Sequence, residues 1–552
     1  MKANKQREGF TLIELLAVIV ILALIALIAS PLIINIIESS RKKAFENSVY
    51  GVMSTYDTKV AKDGNYKGIT YDFPEGNSEL LYSGTKMIGG SIFLTPSGSI
   101  EVRRITDGRY CASGNKKNLE IKRGDCTIDL AVDPVLKMET NTTASGNFLN
   151  TTIPRDKIEG IETVMVSEFP SGSIDVSDKG NGSVMLWTKD EDSNGMVEVY
   201  IGAIDDFVYA NPNSSHLFYY IENTEKVDLS NFDTTTAVDM SRIFYRAGYN
   251  SPNFILDLGD SFDTSKVINM NRMFTRAGHS NQVFTLNLGR NFDTSSVTDI
   301  QYMFYETGYS STVFKLDLGD SFDTSKVINM QYMFYRAGYN NPDFTLDLGD
   351  NFDTSKVINM QYMFYDVGYS SNSFTLDLGD KFDTGEVTNM NRMFTRAGHS
   401  SQAFTLNLGR NFDTSSVTDI QYMFYETGYS STVFKLDLGD KFDTSKVENM
   451  ARTFLRAGYA SPVFTLNLRN KFDTSKVIDM QYLFYRTGFV SPIFTLDLGS
   501  KFNVSSATEF TNAFFETGKA NPFFESTAQV KTQAEKDAIL AKFPNIEVTI
   551  VP

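Results

Sequence analysis

Glu14 is the only charge in the longest apolar run of the chain, Phe10 to Ile37. A carboxylate in a lipid-like setting costs several kcal/mol and implies a cationic partner. Such a pair is tolerable inside an apolar bundle where a lone charge is not. The other residues able to do chemistry are few. There are three histidines, His216, His279 and His399. They form no nucleophile–His–acid set, and neither a Gly-rich phosphate loop nor a cluster with metal-ligand spacing is present. The chain therefore reads as a non-enzyme.

The apolar run exceeds the roughly 20 residues a helix needs to cross a bilayer. A basic leader, Met1–Gly9, precedes it with Lys2, Lys5 and Arg7. A secretory signal would end in a small-residue cleavage site, but Ala29-Ser30-Pro31 offers none. The leader, Gly9-Phe10 and Thr11-Leu12-Ile13-Glu14 resemble the class III signal of type IV pilins and pseudopilins. That resemblance implies cleavage between Gly9 and Phe10 by a prepilin peptidase and methylation of the new Phe10 amine. It also implies assembly through Glu14, which in the family meets the terminal amine of a neighbouring subunit, and a helix kinked at Pro31. The partners implied are other pilin subunits, the assembly machinery and, through residues 10–37, the membrane. Localisation follows: the cytoplasmic membrane first, then the pilus or cell surface.

Helical spacing of Ile34, Ala44, Phe45, Val49, Val52, Met53, Tyr56 and Val60 predicts one helix from Phe10 to about Lys62. Short strand patterns follow at 91–94, 99–104, 109–111 and 119–122, a small antiparallel head that rests mostly on the resemblance. In an exported chain a disulfide between Cys111 and Cys126 is the favoured reading, with two free buried thiols as the other. Arg123-Gly124-Asp125 serves as a turn before Cys126, though Arg-Gly-Asp is also an integrin-read triplet. Residues 1–126 hold 17 Lys/Arg against 13 Asp/Glu, and the net charge of the whole is -16. The rest is thus strongly acidic, which excludes nucleic acid as a partner.

Polar, small residues at 139–153 read as a linker. Asp190-Glu191-Asp192-Ser193-Asn194-Gly195 opens like a calcium loop, but Ile201 stands where a bidentate Glu belongs. Asn-Gly between strands favours a hairpin instead, leaving calcium as a weak second reading and no other cofactor.

Phenylalanine then recurs at one fixed interval, at Phe232, Phe262, Phe292, Phe322 and onward without slippage to Phe502. A period of this size means a solenoid whose units bury their apolar faces by stacking. Alternation at Phe344, Leu346 and Leu348 predicts a strand, and Val357, Met360, Met363 and Phe364 predict a short helix or helical turn closed by Gly368. The Asp of each Phe-Asp-Thr, as in Asp353, is a cap or turn residue. His279 and His399 fill a column otherwise made of Tyr249, Tyr309, Tyr339, Tyr369 and their successors, so they read as stacked aromatics; His216 stands alone. Residues 271–320 recur almost unchanged at 391–440.

The motif Leu-Asp-Leu…Phe-Asp-Thr-Ser-x-Val-x-x-Met-x-x-Met-Phe resembles the BspA-like leucine-rich repeats of bacterial surface proteins. That implies a parallel sheet on one face and adhesion to an extracellular protein or glycan. The outward strand ladder, Asp317, Asp347, Asp377 and Asp437 with Lys315 and Lys435, reads first as a solvated surface; it is also the candidate ligand face. The expected architecture is multidomain α+β. It comprises leader 1–9, pilin-like domain 10–130, linker 131–160, solenoid N-terminal cap 161–225, leucine-rich-repeat-type solenoid 226–520 and C-terminal cap 521–552. The expected role is a minor or tip pilin-type subunit displaying an adhesive solenoid. The alternative is a membrane-anchored pseudopilin-like scaffold or spacer.

Overall fold

Helical periodicity near the start and a long fixed period further on build two separate units, Met1–Asp129 and Leu130–Pro552. The computed structural model describes residues 12–63, 70–73, 76–96, 98–124, 133–521 (except 260, 290 and 320), 526–530, 533–542 and 547–550. It is mostly strands and turns arranged as a repeat solenoid, with few helices.

In the first unit one 52-residue helix, α1, runs Leu12–Asp63. Its described inner face carries Phe45, Val49, Val52, Met53, Tyr56 and Val60, which recur at helical spacing and are all buried. At about 1.5–3 kcal/mol per large apolar side chain, this stripe is the helix's share of a core completed by Ile92, Val102, Ile105 and Tyr110 from the sheet. It packs on a sheet of five antiparallel strands in chain order, β1 (Tyr71–Asp72), β2 (Gly89–Leu94), β3 (Ile100–Thr106), β4 (Tyr110–Asn115) and β5 (Glu120–Arg123). The small head expected from the resemblance therefore exists, with one extra strand. Phe45 stacks on Tyr110 at 5.8 Å, and the Tyr110 hydroxyl donates to the Glu38 carbonyl at 3.0 Å. Phe10 lies outside the described residues, as do the side chains of α1 up to Ile36. Among the described residues no helix is long and apolar enough to cross a membrane, so the spanning role of 10–37 falls outside them.

The second unit corrects the linker at 131–160. Phe148 and Leu149 are fully buried, and Phe148 stacks on Phe218 at 6.1 Å. Glu139 and Arg155 are also enclosed and paired with each other. Polar composition misled here because these two charges neutralise one another inside the core. The segment is the floor of the cap. Above it, strand Ile158–Val166 pairs in parallel with Val197–Ile204 and with Lys226–Asp228, which continues in parallel to Asn253–Asp257 and Val283–Asn287.

Each later repeat aligns on the next exactly one period along, as in Leu316↔Leu346 and Phe374↔Phe404. Stacked phenylalanines fill the interior: Phe334–Phe364–Phe394 at 5.4 and 5.7 Å, and Phe322–Phe352–Phe382 at 6.1 Å. Offset stacking at these distances adds to the burial of each ring.

The short helix or helical turn expected at Val357–Phe364 is replaced by tight turns of non-helical backbone. φ is positive at Tyr362 and Asp366, and at the same positions in every repeat. The result is a run of tight turns, with Met363 N–H bonded to Met360 O and Tyr365 N–H to Tyr362 O. The alternate amides, Met360, Tyr362, Phe364 and Asp366, reach across to the carbonyls of Asn389, Asn391, Met393 and Thr395 in the next repeat. A helix would satisfy its amides internally; here half of them tie one repeat to its neighbour. Gly368 has φ +55°, and a Cβ there would run into the Phe374 ring. The glycine thus serves a turn and a close ring contact.

The same turn ladder begins before the expected start at 226. His216, Phe218 and Tyr220 donate to the carbonyls of Ser241, Ile243 and Tyr245. The first repeat is shorter by a few residues, which hid it from a comparison at the fixed period. His216 is therefore the first member of the column that continues through Arg242 and Arg272, with the same positive φ. The chain closes with strand Ser526–Val530, helix Gln533–Lys542 and strand Glu547–Ile550, the two strands pairing in parallel.

Candidate functional site

The outward strand ladder is built by the alternation that buries Leu346 and exposes Thr345 and Asp347. The carboxylates of Asp317, Asp347, Asp377 and Asp437 each accept from the backbone N–H two positions on, at Gly319, Gly349, Gly379 and Gly439, between 2.9 and 3.1 Å. Asn287 and Asn407 do the same for Gly289 and Gly409. The column thus needs an acceptor oxygen at the strand exit, which Asp and Asn supply equally. Lys315 and Lys435 stand exposed beside it. At Asp437 the Arg469 guanidinium holds the carboxyl below its ordinary range.

Asp353 accepts from Ser355 N–H at 2.8 Å, as its counterparts do in other repeats, so the Phe-Asp-Thr aspartates are turn residues. A third such turn at Asn359 bonds Gln361 N–H at 3.0 Å. Three side-chain oxygens per repeat therefore fix its corners.

The turn-built face carries what spacing alone did not show. Two positions before the loop glycine, Arg246, Arg276, Glu306, Arg336, Asp366, Arg396, Glu426, Arg456, Arg486 and Glu516 form a charged column. Arg276 meets Glu306 at 2.7 Å, and Arg336 lies between Glu306 at 3.4 Å and Asp366 at 3.0 Å. Arg396 meets Asp366 at 3.3 Å and Glu426 at 3.7 Å, and Arg456 meets Glu426 at 3.2 Å. Burial pushes the Asp366 carboxyl up to about 6 against the pull of Arg396 and Arg336. The sequence signal was there: sign alternation at one offset from each glycine.

Beside this column stack Tyr249, His279, Tyr309, Tyr339, Tyr369, His399 and Tyr429, at 4.3 to 4.6 Å. The two histidines are aromatic members of the stack, as expected. His279 is pushed down to about 4 by burial, so it is neutral at neutral pH. Arginines lie over tyrosine rings, Arg272 on Tyr302 at 4.1 Å and Arg392 on Tyr422 at 4.3 Å, a cation–π arrangement.

A cleft of about 350 Å³ opens on the cap sheet, lined by Glu159, Glu162, Glu198, Tyr200, Glu225 and Lys226. Burial, with Glu159 and Glu191 nearby, raises the Glu198 carboxyl. The loop at 190–195 is a hairpin connection between antiparallel strands. Its Asp190 oxygens accept from Asn194 and Gly195 amides. Among the described residues no group of three or more His, Cys, Asp or Glu has metal-holding geometry.

Gly9 and Phe10 lie outside the described residues, as do the side chains of Glu14 and Pro31, whose backbone belongs to α1. Cys111 is disulfide-bonded, and Cys126 lies outside the described residues. Arg123 pairs with Glu38 at 2.9 Å, and Asp125 is also outside them.

A prokaryotic N-terminal methylation motif matches residues 4–30. It implies processing by a prepilin peptidase, assembly with pilin machinery, and membrane insertion followed by surface exposure. No curated protein and no solved structure matches the chain. The family described as "Mycoplasma protein of unknown function, DUF285" matches residues 213–346, 309–428, 339–458 and 399–527. Its first match begins at Asn213, where the turn ladder also begins. Matched over more than half its length, the chain belongs to the DUF285 family.

Proposed function

We propose that this chain is a minor or tip pilin-type subunit that carries its repeat array to the outside for adhesion to a protein or glycan. The observation that carries the reading is the pairing of a methylation motif at residues 4–30 with repeats matched over 213–527 in one chain. In this reading Gly9–Phe10 is the cleavage site, the Phe10 amine is methylated, and Glu14 joins the amine of a neighbouring subunit. Residues 10–37 anchor the chain in the membrane before assembly. A subunit with so large an appendage crowds a filament made only of itself, which favours sparse or terminal placement. In this reading the role is non-enzymatic, with His279 and His399 serving as stacked rings and not as catalytic bases.

One observation favours the scaffold reading. The Asp317–Asp437 ladder already serves strand-exit turns, so its presence needs no ligand. Immunogold labelling in the native host separates the two: label at fibre tips or along fibres supports the pilin reading, and label confined to the membrane supports the scaffold. Glu14→Ala is expected to abolish incorporation into fibres; unchanged incorporation overturns the assembly role.

A further inference from the structure

The charged column obeys a rule that composition does not require. Glu306, Asp366 and Glu426 are each flanked by arginines on both sides along the array. Glu516 lies between Arg486 at 2.8 Å and Lys519 at 2.5 Å. Nowhere in the column do two carboxylates adjoin, whereas arginines adjoin twice, at 246/276 and 456/486. The asymmetry has a physical cause. The Asp366 side chain is fully enclosed and that of Glu306 is 6% exposed, while the arginines keep 18–35%. A guanidinium facing another can lie on a ring, as Arg246 does on Tyr249 at 3.8 Å and Arg486 on Tyr485 at 5.3 Å. Two enclosed carboxylates one strand spacing apart, about 4.8 Å, have no such outlet.

We propose that this column governs which repeats can be neighbours: a carboxylate repeat is stable only between cationic repeats, so the array gains carboxylate repeats together with arginine ones. The internal duplication fits. Residues 271–320 and 391–440 differ only at Asn281/Ser401 and Val283/Ala403, and the copied block carries an arginine and the following glutamate as a unit, Arg276–Glu306 and Arg396–Glu426. The column is therefore a compatibility code for the length of the solenoid, independent of any ligand.

Two deletions in the full chain test it, each removing one whole repeat. Deleting 321–350 removes Arg336 and sets Glu306 against Asp366; deleting 351–380 removes Asp366 and sets Arg336 against Arg396. The groups facing the new acid pair are Arg276, His279, Tyr305 and Tyr309 on one side and Arg396, Glu426, Tyr365 and Tyr369 on the other. In thermal melts followed by circular dichroism at pH 8, the first deletion is expected to melt lower than the second. The gap narrows at pH 5, where one carboxyl takes a proton, and Glu306→Gln in the first deletion raises its melting temperature. Should the first deletion fail to fold, the version with Glu306→Gln is expected to fold. Equal melting of the two at pH 8, the reverse order, or no rescue by Glu306→Gln overturns the proposal.

Discussion

Glu139→Gln isolates the fully enclosed ion pair of the cap. Glu139 and Arg155 have no exposed side-chain surface. The Glu139 carboxylate accepts from Arg155 Nη2, from Leu149 N–H at 2.7 Å and from Asn141 N–H at 2.8 Å. Arg155 also donates to the carbonyls of Thr143 and Asn141 at 3.2 and 2.9 Å. Neutralising the acid leaves a guanidinium enclosed without a counter-charge, a loss of about 3–5 kcal/mol. Arg155→Met does the converse and is expected to cost a similar amount. The double variant Glu139→Gln with Arg155→Met leaves no charge behind, so its cost falls well short of the sum. The sole tryptophan, Trp187, lies in the same cap, stacked on Tyr200 at 5.8 Å, so its fluorescence reports this region during urea unfolding. A Glu139→Gln stability within about 1 kcal/mol of the parent, or strict additivity in the double variant, refutes the reasoning.

Phe364→Ala breaks a continuous ring stack and opens a cavity, with an expected cost of about 3–5 kcal/mol in urea unfolding. Gly368→Ala forces a side chain into positive φ and against Phe374, and is expected to lower stability by at least about 1–2 kcal/mol in the same assay. Asp347→Asn keeps the acceptor for Gly349 N–H and is expected to be nearly neutral, whereas Asp347→Ala costs about 1 kcal/mol; equal effects would remove the turn role. Asp366 titrates near 6 when folded, above the ordinary carboxylate value of 3.8. Its contribution to stability is full below about 3.8 and is lost as pH rises through about 6. Asp366→Asn is therefore expected to flatten the stability profile across that window, measured as the difference from the parent at each pH.

The repeat was legible because phenylalanines at one unbroken interval have no other explanation than stacking, and Leu346 and Leu348 declared the strand by alternation. The histidine column was legible for the same reason, since a ring replaced a ring. The turn face was not. Met360, Met363 and Phe364 have helical spacing, but the positive φ at the Tyr362 and Asp366 positions falls in most repeats on Tyr, Arg or Glu, residue types that carry no signal for it. The bonds that compensate that backbone run to partners in the neighbouring repeat, beyond any local pattern. The Arg/acid column escaped notice for a related reason: its ion pairs join residues a whole repeat apart, whereas helix-type charge pairing is sought within a single turn. At the candidate ligand face, the alternation of Asp and Asn along one column already pointed to a shared hydrogen-bond role over a shared charge. The cap floor was hidden because Glu139 and Arg155 count as polar in composition while being enclosed as a pair.

The pilin-type reading rests on what happens between Gly9 and Phe10. Mass spectrometry of the protein isolated from its native host measures this directly. A mature chain beginning at an N-methylated Phe10 is the result predicted here; a chain that still carries Met1–Gly9 contradicts it.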